Sequence, residues 1–134
     1  MIGVFGTIAH IGIAVKDLKQ SVQLYSNLFG VEPVHSEYVP DQQVNSAMFS
    51  FDGTSIELLE STAPGSPIAK FIEKRGEGLH HVAVKVPDLV ATAQRLKESG
   101  ARLLNDPRPG AGGHLYVFVH PASTGGVLLE LIQE

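Results

Sequence analysis

The chain carries two kinds of apolar spacing, and they follow one another twice. In "HIGIAV" (10–15), Ile11, Ile13 and Val15 fall at every second position, the period of a strand with one covered face. Beyond Asp17, a suitable N-cap, the spacing lengthens. Leu18, Val22, Leu24, Tyr25, Leu28 and Phe29 predict the apolar stripe of a helix that closes at Gly30. Later, Val82, Val84 and Val86 alternate, Asp88 opens a second helix carrying Leu89, Ala93 and Leu96, and Gly100 ends it. Further strands are predicted over about 44–51 and 54–60, and over 115–119 and 127–132. Weaker strand signals lie near 33–39 and 101–105.

This succession is an internal repeat. "HIGIAVKDLKQSVQLYSNLFG" (10–30) falls on "HVAVKVPDLVATAQRLKESG" (81–100) at an offset of 71, matching His10 to His81, Asp17 to Asp88 and Leu18 to Leu89. "GTSIELLE" (53–60) falls on "GVLLELIQ" (126–133) at an offset of 73, matching Gly53 to Gly126 and Glu57 to Glu130. The expected class is therefore α+β: one domain of two tandem βαβββ modules, about 5–60 and 78–133, joined by a linker over 61–77. Pro67 suits the first position of a short linker helix running to about Arg75.

Composition narrows the functional classes. With 43% hydrophobic and 18% charged residues and mean hydropathy +0.10, the chain of 134 residues has ample material for a core. A net charge of −4 and a pI near 5.8 argue against nucleic acid or an anionic membrane as partner. The absence of cysteine excludes disulfides and thiolate metal sites. "MIGVFGTIAH" lacks the basic start and long apolar core of a secretory signal, and no apolar run is long enough to span a bilayer. The expectation is a cytoplasmic protein. "RPGAGGH" (108–114) is glycine-rich but lacks the GK[ST] ending of a phosphate-binding P-loop. It reads equally as a hairpin turn or as a set of N–H donors toward an anion, with Lys74 and Arg75 as further candidates for phosphate.

The repeat separates the two adjacent histidines of "GLHHVAVKV". His81, not His80, is the counterpart of His10. Strand alternation turns both away from the branched residues that would pack under helices. Glu57 and Glu130 stand among apolar neighbours in the strands that close each half, an expensive setting for an uncompensated charge. A lone strand histidine is usually packed or at the surface, and a lone glutamate commonly faces water at an edge. The recurrence of both types in register favours another reading, in which His10, Glu57, His81 and Glu130 converge on a divalent cation. Two imidazoles and two carboxylates suit Co, Ni, Mn, Zn or Fe, with water completing a catalytic type of site.

The stretches "HIGIAVKDL", "LYSNLFG", "TSIELLE", "SPIAKFIEKRGEGLHHVAVKV" and "PGAGGHLYVFVHPASTGGVLLEL" resemble the vicinal oxygen chelate superfamily and, within it, the methylmalonyl-CoA epimerase family. The resemblance covers most of the chain and is weakest over 33–50. It implies a cupped mixed sheet around a metal site, helices on the outer face, and metal ligands at His10, Glu57, His81 and Glu130. It also implies an acyl-CoA substrate, a homodimer, and interconversion of (2R)- and (2S)-methylmalonyl-CoA. Such a reaction takes the proton from C2 to an enolate, whose charge a Lewis acid stabilises. Glu130 is the leading candidate for the adjacent base. Some family members place a glutamate where this chain has Ser46, so the second proton carrier is open between Glu57, a water, Glu37 and Asp41. Two other functions fit the superfamily: glyoxalase I (lactoylglutathione lyase), and a metal-free ligand-binding or resistance protein.

Overall fold

The computed structural model describes residues 6–134. The start of "MIGVFGTIAH", where the first repeat was expected to begin near residue 5, lies outside the described residues. The described chain forms two compact units, one of residues 10–80 and one of residues 6–9 with 81–134.

In the unit of residues 10–80, β1 (Ile8–Ala14) is followed by α1 (Leu18–Phe29), β2 (His35–Val39), β3 (Val44–Phe51), β4 (Thr54–Ser61) and α2 (Pro67–Arg75). The strands lie in the order β2-β3-β4-β1, antiparallel except for the parallel pair β4–β1. One face is apolar because the alternation is kept in register across strands. Val15, Phe49 and Leu58 are buried there against Ile13, Ile56 and the α1 residues Leu18, Val22 and Tyr25. Phe29 adds an edge-on ring contact to Phe49 at 5.7 Å. The predicted α1 stripe is thus too broad: Leu24 and Leu28 are exposed. At about 100° of turn per residue, they fall to the side of the line through Leu18, Val22, Tyr25 and Phe29.

The other unit repeats the plan with β5 (Gly78–Lys85, contributing from His81 onward), α3 (Leu89–Glu98), β6 (Arg108–Pro109), β7 (Leu115–Val119) and β8 (Leu129–Gln133). Its order is β5-β8-β7-β6, with β5–β8 the parallel pair. Val86, Leu89, Ala93, Val117, Val119 and Leu131 form its core, with Val84 and Leu96 packed on it. The backbone of Gly6 and Thr7 bonds to Lys85, and Ala9 packs with Ala83 and Ile132.

Each helix starts where the sequence places it. Asp17 accepts from the Gln20 N–H and Asp88 from the Ala91 N–H, both at 3.0 Å. Ser66 caps α2 through the Ala69 N–H at 3.1 Å, with Pro67 leading the helix.

The strand signal near 101–105 is corrected. Only Leu103 makes an isolated bridge, to Val119, and the regular strand is displaced to Arg108–Pro109. The Arg102 carbonyl and the Leu104 N–H bond to the β7 edge at His120 and Phe118, but the ladder stops at Asn105, whose side-chain amide accepts from the Phe118 N–H at 2.9 Å and donates to the Tyr116 carbonyl at 3.2 Å in place of further backbone. Downstream, "PGAGGH" is the β6–β7 hairpin connection. Its Gly110, Gly113 and His114 N–H groups bond within the loop, which favours the turn over an anion cradle. Among the described residues, no helix is long and apolar enough to cross a membrane.

Candidate active site

Strand pairing places the same constellation in each unit. In the unit of residues 10–80, His10 on β1 lies opposite Ser55, and Gly12 lies opposite Glu57 on β4. Gly12 has no side chain to fill the space beside the carboxylate, so the imidazole two positions earlier leans over it. His10 Nε2 stands 3.8 Å from Glu57 Oε1. In the other unit, Ala83 is the small residue opposite Glu130, and His81 Nε2 approaches Glu130 Oε1 to 3.0 Å.

All four side chains belong to buried residues, with only 4–7% of each exposed. They stand on the face away from α1 or α3, as strand alternation predicted. Two acids and two imidazoles in such surroundings require compensation for any negative charge. The separation of 3.0 Å is a hydrogen-bond distance, whereas 3.8 Å is an ion-pair distance only.

The units differ in the residue flanking the carboxylate on its other side. Phe118 is the β7 partner of Glu130, and its ring meets His81 edge-on at 5.5 Å and 90°. Met48 is the β3 partner of Glu57. One pair therefore has a rigid aromatic wall and the other a flexible thioether. The repeat alignment did not reach these two residues.

The remaining histidines sort by local contacts. His80 faces away from His81 and packs edge-on against Phe71 of α2, with centroids 4.9 Å apart. His120 caps a 3-10 turn by accepting from the Ala122 N–H. His35 pairs with Glu37 at 2.9 Å. Of the residues considered as second proton carrier, Glu37 stands on β2, whereas Asp41 sits in the exposed turn before β3.

The model of the Glyoxalase/Bleomycin resistance protein/Dioxygenase superfamily matches residues 9–118. With most of its length matched, the chain belongs to that superfamily. The ethylmalonyl-CoA/methylmalonyl-CoA epimerase of Cereibacter sphaeroides is 40% identical over 131 residues, covering 96% of this chain and 98% of that protein. The crystal structure of methylmalonyl-CoA epimerase from Mycobacterium tuberculosis superposes with a TM-score of 0.92 at 36% identity, covering 99% of this chain and 92% of that one. A methylmalonyl-CoA epimerase solved with methylmalonyl-CoA and NH4+ gives 0.91 at 38% identity, covering 98% and 96%. Lactoylglutathione lyase relatives are more distant: that of Arabidopsis thaliana is 22% identical, and the chain covers 43% of it. Within the superfamily, this chain is an enzyme of the methylmalonyl-CoA epimerase family.

Proposed function

We propose that the chain interconverts (2R)- and (2S)-methylmalonyl-CoA by moving the C2 proton at a centre shared by His10, Glu57, His81 and Glu130. The observation that carries this reading is the duplicated His/Glu pair. Each pair is buried, each is built on a parallel strand pair with a small residue beside the carboxylate, and the two occupy repeat-equivalent positions.

The donor set fits a divalent cation. Buried imidazole nitrogens and carboxylate oxygens, with no thiolate, match Co, Ni, Mn, Zn or Fe, and a cation would offset the charge of carboxylates set among apolar strands. When bound, such a cation supplies Lewis acidity, which lowers the cost of the negative charge that spreads from C2 to the thioester oxygen. The protein does the rest. Phe118 fixes the imidazole of His81, which orients Glu130. The Glu130 carboxylate accepts the C2 proton as the C–H electron pair delocalises into the enolate. A proton delivered to the opposite face gives the other epimer.

The more distant similarity to lactoylglutathione lyases makes the glyoxalase reading weaker. A metal-free binding protein would have no use for two buried carboxylates. A homodimer accompanies the reading by resemblance to the family. Cytoplasmic residence, beside acyl-CoA substrates, completes it.

The test is incubation of the metal-loaded protein with (2R)-methylmalonyl-CoA in deuterated water. Deuterium is expected at C2, together with the (2S) epimer. Glu130→Gln is expected to abolish exchange while circular dichroism stays unchanged. Exchange at the wild-type rate in that variant would remove Glu130 from the mechanism. Turnover of the glutathione hemithioacetal of methylglyoxal, with none of methylmalonyl-CoA, would replace the reading by glyoxalase.

A further inference from the structure

Inversion at C2 needs a proton carrier on each face, and Glu130 serves one. We infer that Glu37 serves the other, with His35 as its positioning residue and its link to solvent. The inference rests on the epimerase reading above and assigns the group that reading leaves unnamed.

Register alone puts Glu37 on the working face. Glu37 is the β3 partner of Ser46, and Met48, two residues further along β3, is the partner of Glu57. Paired residues share a face, as do residues two apart on a strand. Glu37, Ser46, Met48 and Glu57 therefore project together, on the side where His10 stands and opposite α1. β2 and β4 are separated by β3 alone, and two strand spacings are about 10 Å. That width leaves room for a substrate carbon between a carboxyl group on β2 and a ligand carboxylate on β4. The floor between them suits the purpose. Ser46 is buried, and its hydroxyl donates to the Glu37 carbonyl at 3.4 Å, while Met48 is unbranched and yielding. Neither brings a competing carboxylate.

The surroundings of Glu37 also suit a group that must reload with a proton in every cycle. Its side chain is 27% exposed, and Glu37 Oε1 lies 2.9 Å from Nε2 of His35, whose own side chain is 53% exposed. The carboxyl group thus has an inner side and, through the exposed imidazole hydrogen-bonded to it, a route to water. The other candidates fit less well. Glu57 stands 3.8 Å from His10 as the ligand partner of that imidazole, and Asp41 is off the strand face in the turn beyond Val39.

The step balances without any co-reactant. Glu130 takes the C2 proton from one epimer, the electron pair moves into the enolate, and the protonated Glu37 carboxyl returns a proton to C2 from the other side. In reverse the roles exchange.

The experiment compares deuterium entry at C2 with inversion, starting from each epimer separately, in wild type and in Glu37→Gln. The variant is expected to keep exchange within about threefold for one epimer, lose it by at least about a hundredfold for the other, and lose inversion to the same extent. Glu37→Asp, which keeps a carboxyl group one methylene shorter, is expected to recover part of the inversion. Equal loss of exchange from both epimers, or unchanged inversion, would overturn the assignment. Absence of exchange in the wild type would instead sink the epimerase reading, so the two failures are separable. For His35→Ala, inversion is expected to fall about tenfold and to return when free imidazole is added. A loss that imidazole does not repair would assign His35 to packing alone.

Discussion

Gly110 shows how one missing methyl group shapes the hairpin of the second unit. A Cβ there would lie 2.7 and 2.9 Å from the Cδ1 and Cε1 atoms of Tyr116, a buried ring held edge-on to Phe118 at 5.6 Å. Because that ring cannot swing into solvent, Gly110→Ala is expected to cost about 1–3 kcal/mol in urea denaturation and to disturb the wall beside His81. Charge acts differently at the surface. The Lys97 ammonium donates a hydrogen bond to Asp106 at 2.8 Å and, with its charge, holds that carboxyl group below the usual carboxylate range. A depressed acid contributes stability above its unfolded pKa and loses it as pH falls through the folded one. Any benefit from this exposed pair is therefore full above the usual carboxylate range, is lost as pH falls through and below it, and is weakened by salt. Lys97→Met is expected to move the Asp106 titration upward in NMR. At this scale the sequence identified chemically costly residues well, since Glu57 and Glu130 stood out against apolar neighbours. It did not reveal Met48 or Phe118, whose importance comes from lying across a strand from those glutamates.

The elements carry a second duplicated feature. The Leu18 N–H at the start of α1 donates to Glu60 Oε2 at 2.9 Å, and the Leu89 N–H at the start of α3 donates to Gln133 Oε1 at 2.7 Å. Glu60, next to last in β4, and Gln133, last in β8, lie on the strands that carry Glu57 and Glu130, so one strand both supplies a site carboxylate and ties down the helix behind it. Glu60→Ala and Gln133→Ala are each expected to destabilise by about 1 kcal/mol, read from denaturation midpoints with unchanged slope. A chemical change without effect on stability would show that water replaces the cap. Helix starts and most strands were legible because Asp17, Ser66 and Asp88 are local signals and the apolar periods are strong. The failure near 101–105 has a definite origin. Backbone bonds from Arg102 and Leu104 reach β7, but the next ones are made by the Asn105 side chain, which stops the ladder, and periodicity carries no information about such a substitution. The α1 stripe is narrower than its apolar residues suggest, because Leu24 and Leu28 are exposed and lie off the packed line.

For the molecule as a whole, the proposal that both His/Glu pairs hold one cation has a thermodynamic consequence. A ligand bound only by the native state stabilises it, by about 2.7 kcal/mol at a hundredfold excess over Kd. Chelation is therefore expected to lower the melting temperature, and added divalent cation to restore it. His10→Ala and His81→Ala lie in different compact units, yet each is expected to abolish the whole metal-dependent increment. Two half-sized losses would mean two separate sites, one per unit.

The order of elements, the duplication, the helix caps and the choice of four costly polar residues are written in local chemistry, where neighbours along the chain suffice. Periodicity and side-chain type act over a few residues, so they survive being read without coordinates. The pairing of His10 with Glu57, of His81 with Glu130, and of Glu37 with the face that carries Glu57 came only with strand register. Register is set by the packing of whole faces against helices, and a slip by one residue would turn every one of these side chains to the other side.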